Sequence, residues 1–147
     1  MSNSISPEQV RIVTASWRDP LDPVAFLRVS ISRMSPRNLS GYRGYPRLAP
    51  GDWWRSIGDP AEWAARYETD VLVKLDPAQV VADLMAMAPD GRTIALCCWE
   101  TYDPYSGWCH RGQVASWLHQ RLGLAVAEAR DPSRRCGRHH PMLTRQA

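Results

Sequence analysis

The longest uninterrupted apolar run in the chain is Ile94-Ala95-Leu96-Cys97-Cys98-Trp99, flanked by Asp90-Gly91 before it and a polar, aromatic stretch after it. A run of this kind, with no polar alternation, suits a strand buried on both faces, which belongs to a parallel sheet covered on each side. Thr93 to Cys98 is therefore read as a central strand. The weaker patterns agree with it. Arg11 to Ser16 reads as a first strand stopped by Asp19-Pro20 and Asp22-Pro23. Phe26 to Ser32 reads as a second, with Leu27, Val29 and Ile31 on one face.

Helical spacing appears between these strands. Trp63, Tyr67, Val71 and Leu75 recur every fourth residue after Asp59-Pro60, and Val80, Val81, Leu84 and Met87 form a stripe over Pro77 to Ala88. A third helix, His110 to Leu122, turns Val114, Trp117, Leu118 and Leu122 inward and stops at Gly123, while His119 falls on its outer face. Leu124 to Ala129 reads as a last strand. Strands alternating with helices predict one three-layer α/β domain with a small, mostly parallel sheet flanked by helices, over residues 1–129.

Composition adds limits. At 147 residues the chain has room for one such domain. No apolar run approaches the roughly 20 residues of a membrane-spanning helix, and Met1 to Val10 lacks the basic start and apolar stretch of a secretory signal, so a cytoplasmic protein without a membrane partner is expected. Charge is uneven: Arg130, Arg134, Arg135, Arg138 and Arg145 against Asp131 give residues 130–147 a net +4 in a chain whose total is +3. The body is nearly neutral, so only this basic tail suits contact with phosphates by charge alone.

In open parallel sheets ligands bind beyond the C-terminal strand ends. That edge gathers Ser16, Trp17 and Arg18, then Ser32 and Arg33, then Cys98 and Glu100, and it meets the helix start Cys109-His110-Arg111. Arg33, Arg37 and Arg111 are expected to hold an anion, Glu100 or His110 to act as acid or base, and Cys109 to serve as a reactive thiol or ligand beside the helix dipole. The competing reading has Cys109 and His110 capping the helix and Arg111 paired structurally with Glu100. Cys97 and Cys98 are neighbours on a strand and point to opposite faces, so one at most joins the site. A cytosolic setting favours thiols or metal ligands over a disulfide framework.

The stretch 33–60 is rich in Arg, Gly, Pro and aromatics, and Tyr45, with Tyr42, Trp53 and Trp54, offers rings to stack on a ligand or on nucleic-acid bases. The same residues also serve as cation–π fasteners of a long loop. Cys136, His139 and His140 form a second cluster; with Cys109 they are candidate ligands for zinc, the candidate cofactor, although no paired spacing supports them. Seven tryptophans in so short a chain make a homodimer a candidate assembly. Phosphate-loop, dinucleotide-binding and serine-elbow motifs are absent, and Ala115 stands six residues after Cys109, where a cysteine phosphatase needs arginine.

Five blocks occur in order: Ser32-Arg33-Met34-Ser35-Pro36-Arg37-Asn38; Leu48-Ala49-Pro50; Trp63 with Arg66-Tyr67-Glu68; Leu96-Cys97-Cys98-Trp99-Glu100; and Cys109-His110-Arg111 before an apolar helix. Together they resemble the YeaO-like proteins, a family of domains of unknown function, over residues 26–122. The resemblance implies a small cytosolic α/β domain without an established general activity, and it would carry the family pattern to Arg33, Pro36, Arg37, Cys98, Glu100, Cys109, His110 and Arg111. Ser32 stands where an acidic residue is usual, Asn38 where glycine is usual, and Tyr102 to Trp108 is an aromatic-rich insertion, so a different ligand is expected. The functional expectation is thus a binding protein for a small anionic or nucleotide-like ligand, with hydrolase or transferase chemistry as an extension. A nucleic-acid-binding or interaction module, stabilised by zinc, is the alternative.

Overall fold

The structure, a computed structural model, describes residues 6–102, 108–131 and 140–142. Five strands, β1 (Ile12–Ser16), β2 (Phe26–Ser30), β3 (Arg43–Gly44), β4 (Thr93–Cys98) and β5 (Ala127–Glu128), form one sheet in the order β3-β2-β4-β1-β5. Each pairing between these five strands is parallel. The most apolar strand thus occupies the centre, paired from Ile12↔Ile94 to Ser16↔Cys98 on one side and from Phe26↔Thr93 to Ser30↔Cys97 on the other. The expected α/β domain with a parallel sheet is what forms.

Helices α1 (Pro60–Asp70) and α2 (Pro77–Met87) start as their sequences predict. Asp59 and Asp76 accept from the backbone N–H groups of Glu62 and Ala78, and proline fills the first helical position of each. Helix α3 (His110–Leu122) ends at Gly123, whose φ of 71° is the left-handed conformation that glycine adopts without strain. The four-residue spacing suggested a first helix reaching Leu75, yet α1 ends at Asp70 and a short 3-10 turn, Leu72–Lys74, follows. That turn buries Leu72.

Period-two alternation divides the sheet residues. Ile12, Leu27, Val29, Ile94 and Leu96 share one cluster with inward side chains of all three helices. Val13, Ala15, Ala95 and Cys97 point the other way and are covered by Trp17, Leu21 and Tyr42. Among the described residues the layer on this second face is made of loop aromatics rather than a helix. Its position follows from the β1–β2 connection, which crosses that face and is tied down by Arg28. The Arg28 guanidinium donates to the carbonyls of Ser16 (3.2 Å), Trp17 (3.4 Å) and Asp19.

The stretch after β2 is ordered by its own packing. It contributes β3 and two 3-10 turns, and the Tyr67 hydroxyl donates to the Leu48 carbonyl at 2.6 Å from the fully buried face of α1. The basic tail expected beyond residue 129 is also partly built into the domain. His140 and Met142 are buried, and the Cys109 N–H donates to the Met142 carbonyl at 3.0 Å. Apolar contact with Cys98 and Cys109 holds Met142 there, so the domain extends past residue 129. Among the described residues no helix is long and apolar enough to cross a membrane.

Candidate functional site

Beyond the C-terminal ends of β2 and β4 lies a cavity of about 620 Å³. Its walls come from Ser32 to Arg37 after β2, Pro50, Trp54 and Arg55 from the long connection, Trp63 of α1, Cys98, Trp99 and Glu100 after β4, and His110 at the start of α3. Arg33, Arg37, Arg55 and Glu100 are exposed, so the rim carries three guanidinium groups and one carboxylate. Arg55 lies over the Trp54 ring at 4.5 Å. Trp99 is fixed by donating its indole N–H to the Met34 carbonyl at 2.6 Å, and Ser32 is engaged by Trp17, which donates to it at 3.3 Å.

Cys98 and Cys97 separate as strand geometry requires. Cys97 packs on the opposite face, where burial pushes its thiol up to about 11 despite the nearby Arg28 charge. Cys98 faces α3. Cys109 is expected as a free nucleophilic thiol, but its sulfur is bonded to that of Cys98, because the strand end and the helix N-cap bring the two side chains together. Beside them His110 donates from Nε2 to the Ile31 carbonyl at 2.7 Å, which leaves Nδ1 unprotonated and 3.7 Å from Cys109 Sγ. Burial, opposed by the Ile31 hydrogen bond and aided by the Arg111 charge, pushes His110 down to about 4. It is neutral at pH 7. Glu100 Oε2 lies 3.1 Å from Cys109 Sγ. Donor atoms of Cys98, Cys109 and His110 all lie within 4.8 Å of one another and are the described residues that could hold a metal ion.

Arg111 is placed differently from its expected role as an anion ligand. It is wholly buried, with Nε and Nη2 donating to Glu128 at 2.9 Å and 2.6 Å and Nη1 donating to the Glu100 carbonyl at 2.7 Å and to Cys98 Sγ at 3.1 Å. It forms a structural bridge, as the competing reading held, but to the carboxylate of Glu128 rather than that of Glu100. Glu128 also accepts from the Thr14 hydroxyl at 2.8 Å, and Thr14 meets His140 Nε2 at 2.6 Å. Met142 donates its backbone N–H to His140 Nδ1 at 3.0 Å, so the proton sits on Nε2, facing Thr14.

Comparison of the chain with family models, curated proteins and solved structures returned no match.

Tyr45 does not reach the cavity. It is buried, and its hydroxyl donates to Asp83 at 2.6 Å, tying the long connection to α2. Trp53 is likewise core, and Tyr42 packs edge-on against Trp17. His140 has both ring nitrogens engaged within the domain and is not free to join Cys109 as a ligand, while Cys136 and His139 lie outside the described residues. His119 is half-buried against the Leu124 carbonyl at 3.1 Å. Sequence reasoning missed Arg55, Trp63 and Trp99 as wall residues. Trp99 and Arg55 are immediate neighbours of Glu100 and Trp54, whereas no local pattern pairs Arg111 with Glu128.

Proposed function

We propose that the protein binds a small planar anion, nucleotide-like in character, in the cavity beyond β2 and β4. The observation that carries the reading is the composition of the walls: Arg33, Arg37 and Arg55 with the indoles of Trp54, Trp63 and Trp99 around about 620 Å³. Guanidinium groups supply bidentate hydrogen bonds to phosphate or carboxylate, and indole faces supply stacking area for a ring. Glu100 is the acid–base group of this rim. Membership of the YeaO-like family belongs to the same proposal; each of the five blocks that carry the resemblance contributes at least one residue to the cavity wall, the last of them through His110.

Calorimetric titration with nucleoside monophosphates, the parent nucleosides and phenyl phosphate tests this. Phosphorylated compounds should bind more tightly than nucleosides, and Arg33→Ala or Arg37→Ala should weaken binding about tenfold, roughly 1.4 kcal/mol. Equal binding of nucleoside and nucleotide, or arginine variants that bind like the wild type, would overturn the proposal.

A further inference from the structure

The cavity wall holds a donor set of its own. Sγ of Cys98 arrives from the end of β4, and Sγ of Cys109 with the imidazole of His110 arrives from the start of α3, within 4.8 Å of one another. Two sulfurs and one imidazole are the ligands that zinc and its thiophilic relatives prefer. The imidazole is already oriented as metal-bound histidines are: Nε2 donates to the Ile31 carbonyl at 2.7 Å, and Nδ1 is left with a lone pair near Cys109 Sγ. Arg111 Nη1, 3.1 Å from Cys98 Sγ, offsets charge that builds on that sulfur.

The spacing of the two cysteines points the same way. Their α-carbons are 7.3 Å apart, beyond the roughly 4.4–6.8 Å over which disulfides are usually found. A cation bonded at about 2.3 Å to each sulfur spans such a gap readily. Two thiolates also neutralise a divalent charge, so the buried site carries no net charge of its own. Cys98, His110 and Glu100 all border the cavity, so the side of the cluster not filled by protein ligands opens there.

We infer that in the reduced protein Cys98, Cys109 and His110 hold a divalent cation of the zinc class, with a fourth position open to the cavity. Three protein ligands and one open position are the arrangement of catalytic rather than structural zinc sites. Reduction requires two equivalents of a small thiol, which give two electrons and two protons to the disulfide and leave as one small disulfide. Metal binding then releases the two thiol protons. This inference is independent of what the cavity binds.

The test uses untagged full-length protein, reduced with a phosphine, stripped with a chelator and titrated with Co²⁺ and then Zn²⁺ alone. Reduced wild type should take up roughly one Co²⁺ per chain with a thiolate-to-cobalt charge-transfer band that Zn²⁺ abolishes. Diamide-oxidised wild type should show none, a comparison that needs no variant. Cys98→Ser and Cys109→Ser should each weaken zinc binding at least about 100-fold, whereas Cys97→Ser and Cys136→Ser should bind as wild type does. Absence of the band in reduced wild type, its survival in Cys98→Ser, or its loss in Cys136→Ser would overturn the assignment.

Discussion

Arg111 and Glu128 form an ion pair of 2.6 Å in which neither side chain is exposed. The pair joins α3 to the edge strand β5, and through Thr14 it reaches His140, which lies far along the chain. Removing one partner leaves the other as an uncompensated buried charge, so Arg111→Met or Glu128→Leu should each cost about 3–5 kcal/mol. The double substitution, which leaves no orphan charge, should cost clearly less than the sum. Denaturant unfolding of the four proteins measures this, and additive losses would contradict the coupling.

His140 sets a direction for the pH dependence of stability. Burial, helped by the Arg111 charge, pushes it from 6.5 down to about 3. Below pH 6.5 the unfolded chain therefore takes up a proton that the native protein refuses, and stability falls as the pH falls. The slope approaches about 1.4 kcal/mol per pH unit for each such histidine. His110, pushed down to about 4, acts in the same sense. Between pH 6.5 and 4.5, unfolding free energies of wild type should decline, and His140→Gln should remove roughly half of the decline due to the two histidines. An unchanged slope in that variant would be the contrary result.

Cys97 and Cys98 are adjacent in sequence but should behave as unrelated thiols. With Cys97 pushed up to about 11 and buried under the aromatic face, native reduced protein treated with iodoacetamide at pH 8 should leave Cys97 unmodified, and only denaturation should expose it. Peptide mass spectrometry distinguishes the outcomes, and rapid native labelling of Cys97 would show that its face is open.

What was legible in the sequence was local. The unbroken run around Leu96, the prolines and aspartates at the starts of α1 and α2, and Gly123 after α3 state their structures within a few residues, and the sheet edge that collects Ser32, Arg33, Cys98, Glu100 and His110 follows from the parallel order. What was not legible depends on distance. β3 is two residues with no apolar pattern, and it exists because the edge of β2 offers hydrogen bonds to it. His140 and Met142 sit in a stretch that reads as a basic tail, and only Thr14 and Cys109 reveal why they are buried. The sequence offers Arg111 either as an anion ligand or as the partner of Glu100, because Glu128, its actual partner 17 residues away, carries no local signal.

The most direct measurement of the central claim is a titration of the protein with a nucleoside monophosphate, followed through the tryptophan indole N–H signals by NMR. Trp54, Trp63 and Trp99 border the cavity, while Trp117, on α3, is buried in the core and does not line it. The account predicts that the first three signals shift together along one saturating curve while that of Trp117 stays in place. Shifts confined to other tryptophans, or none at saturating ligand, would contradict it.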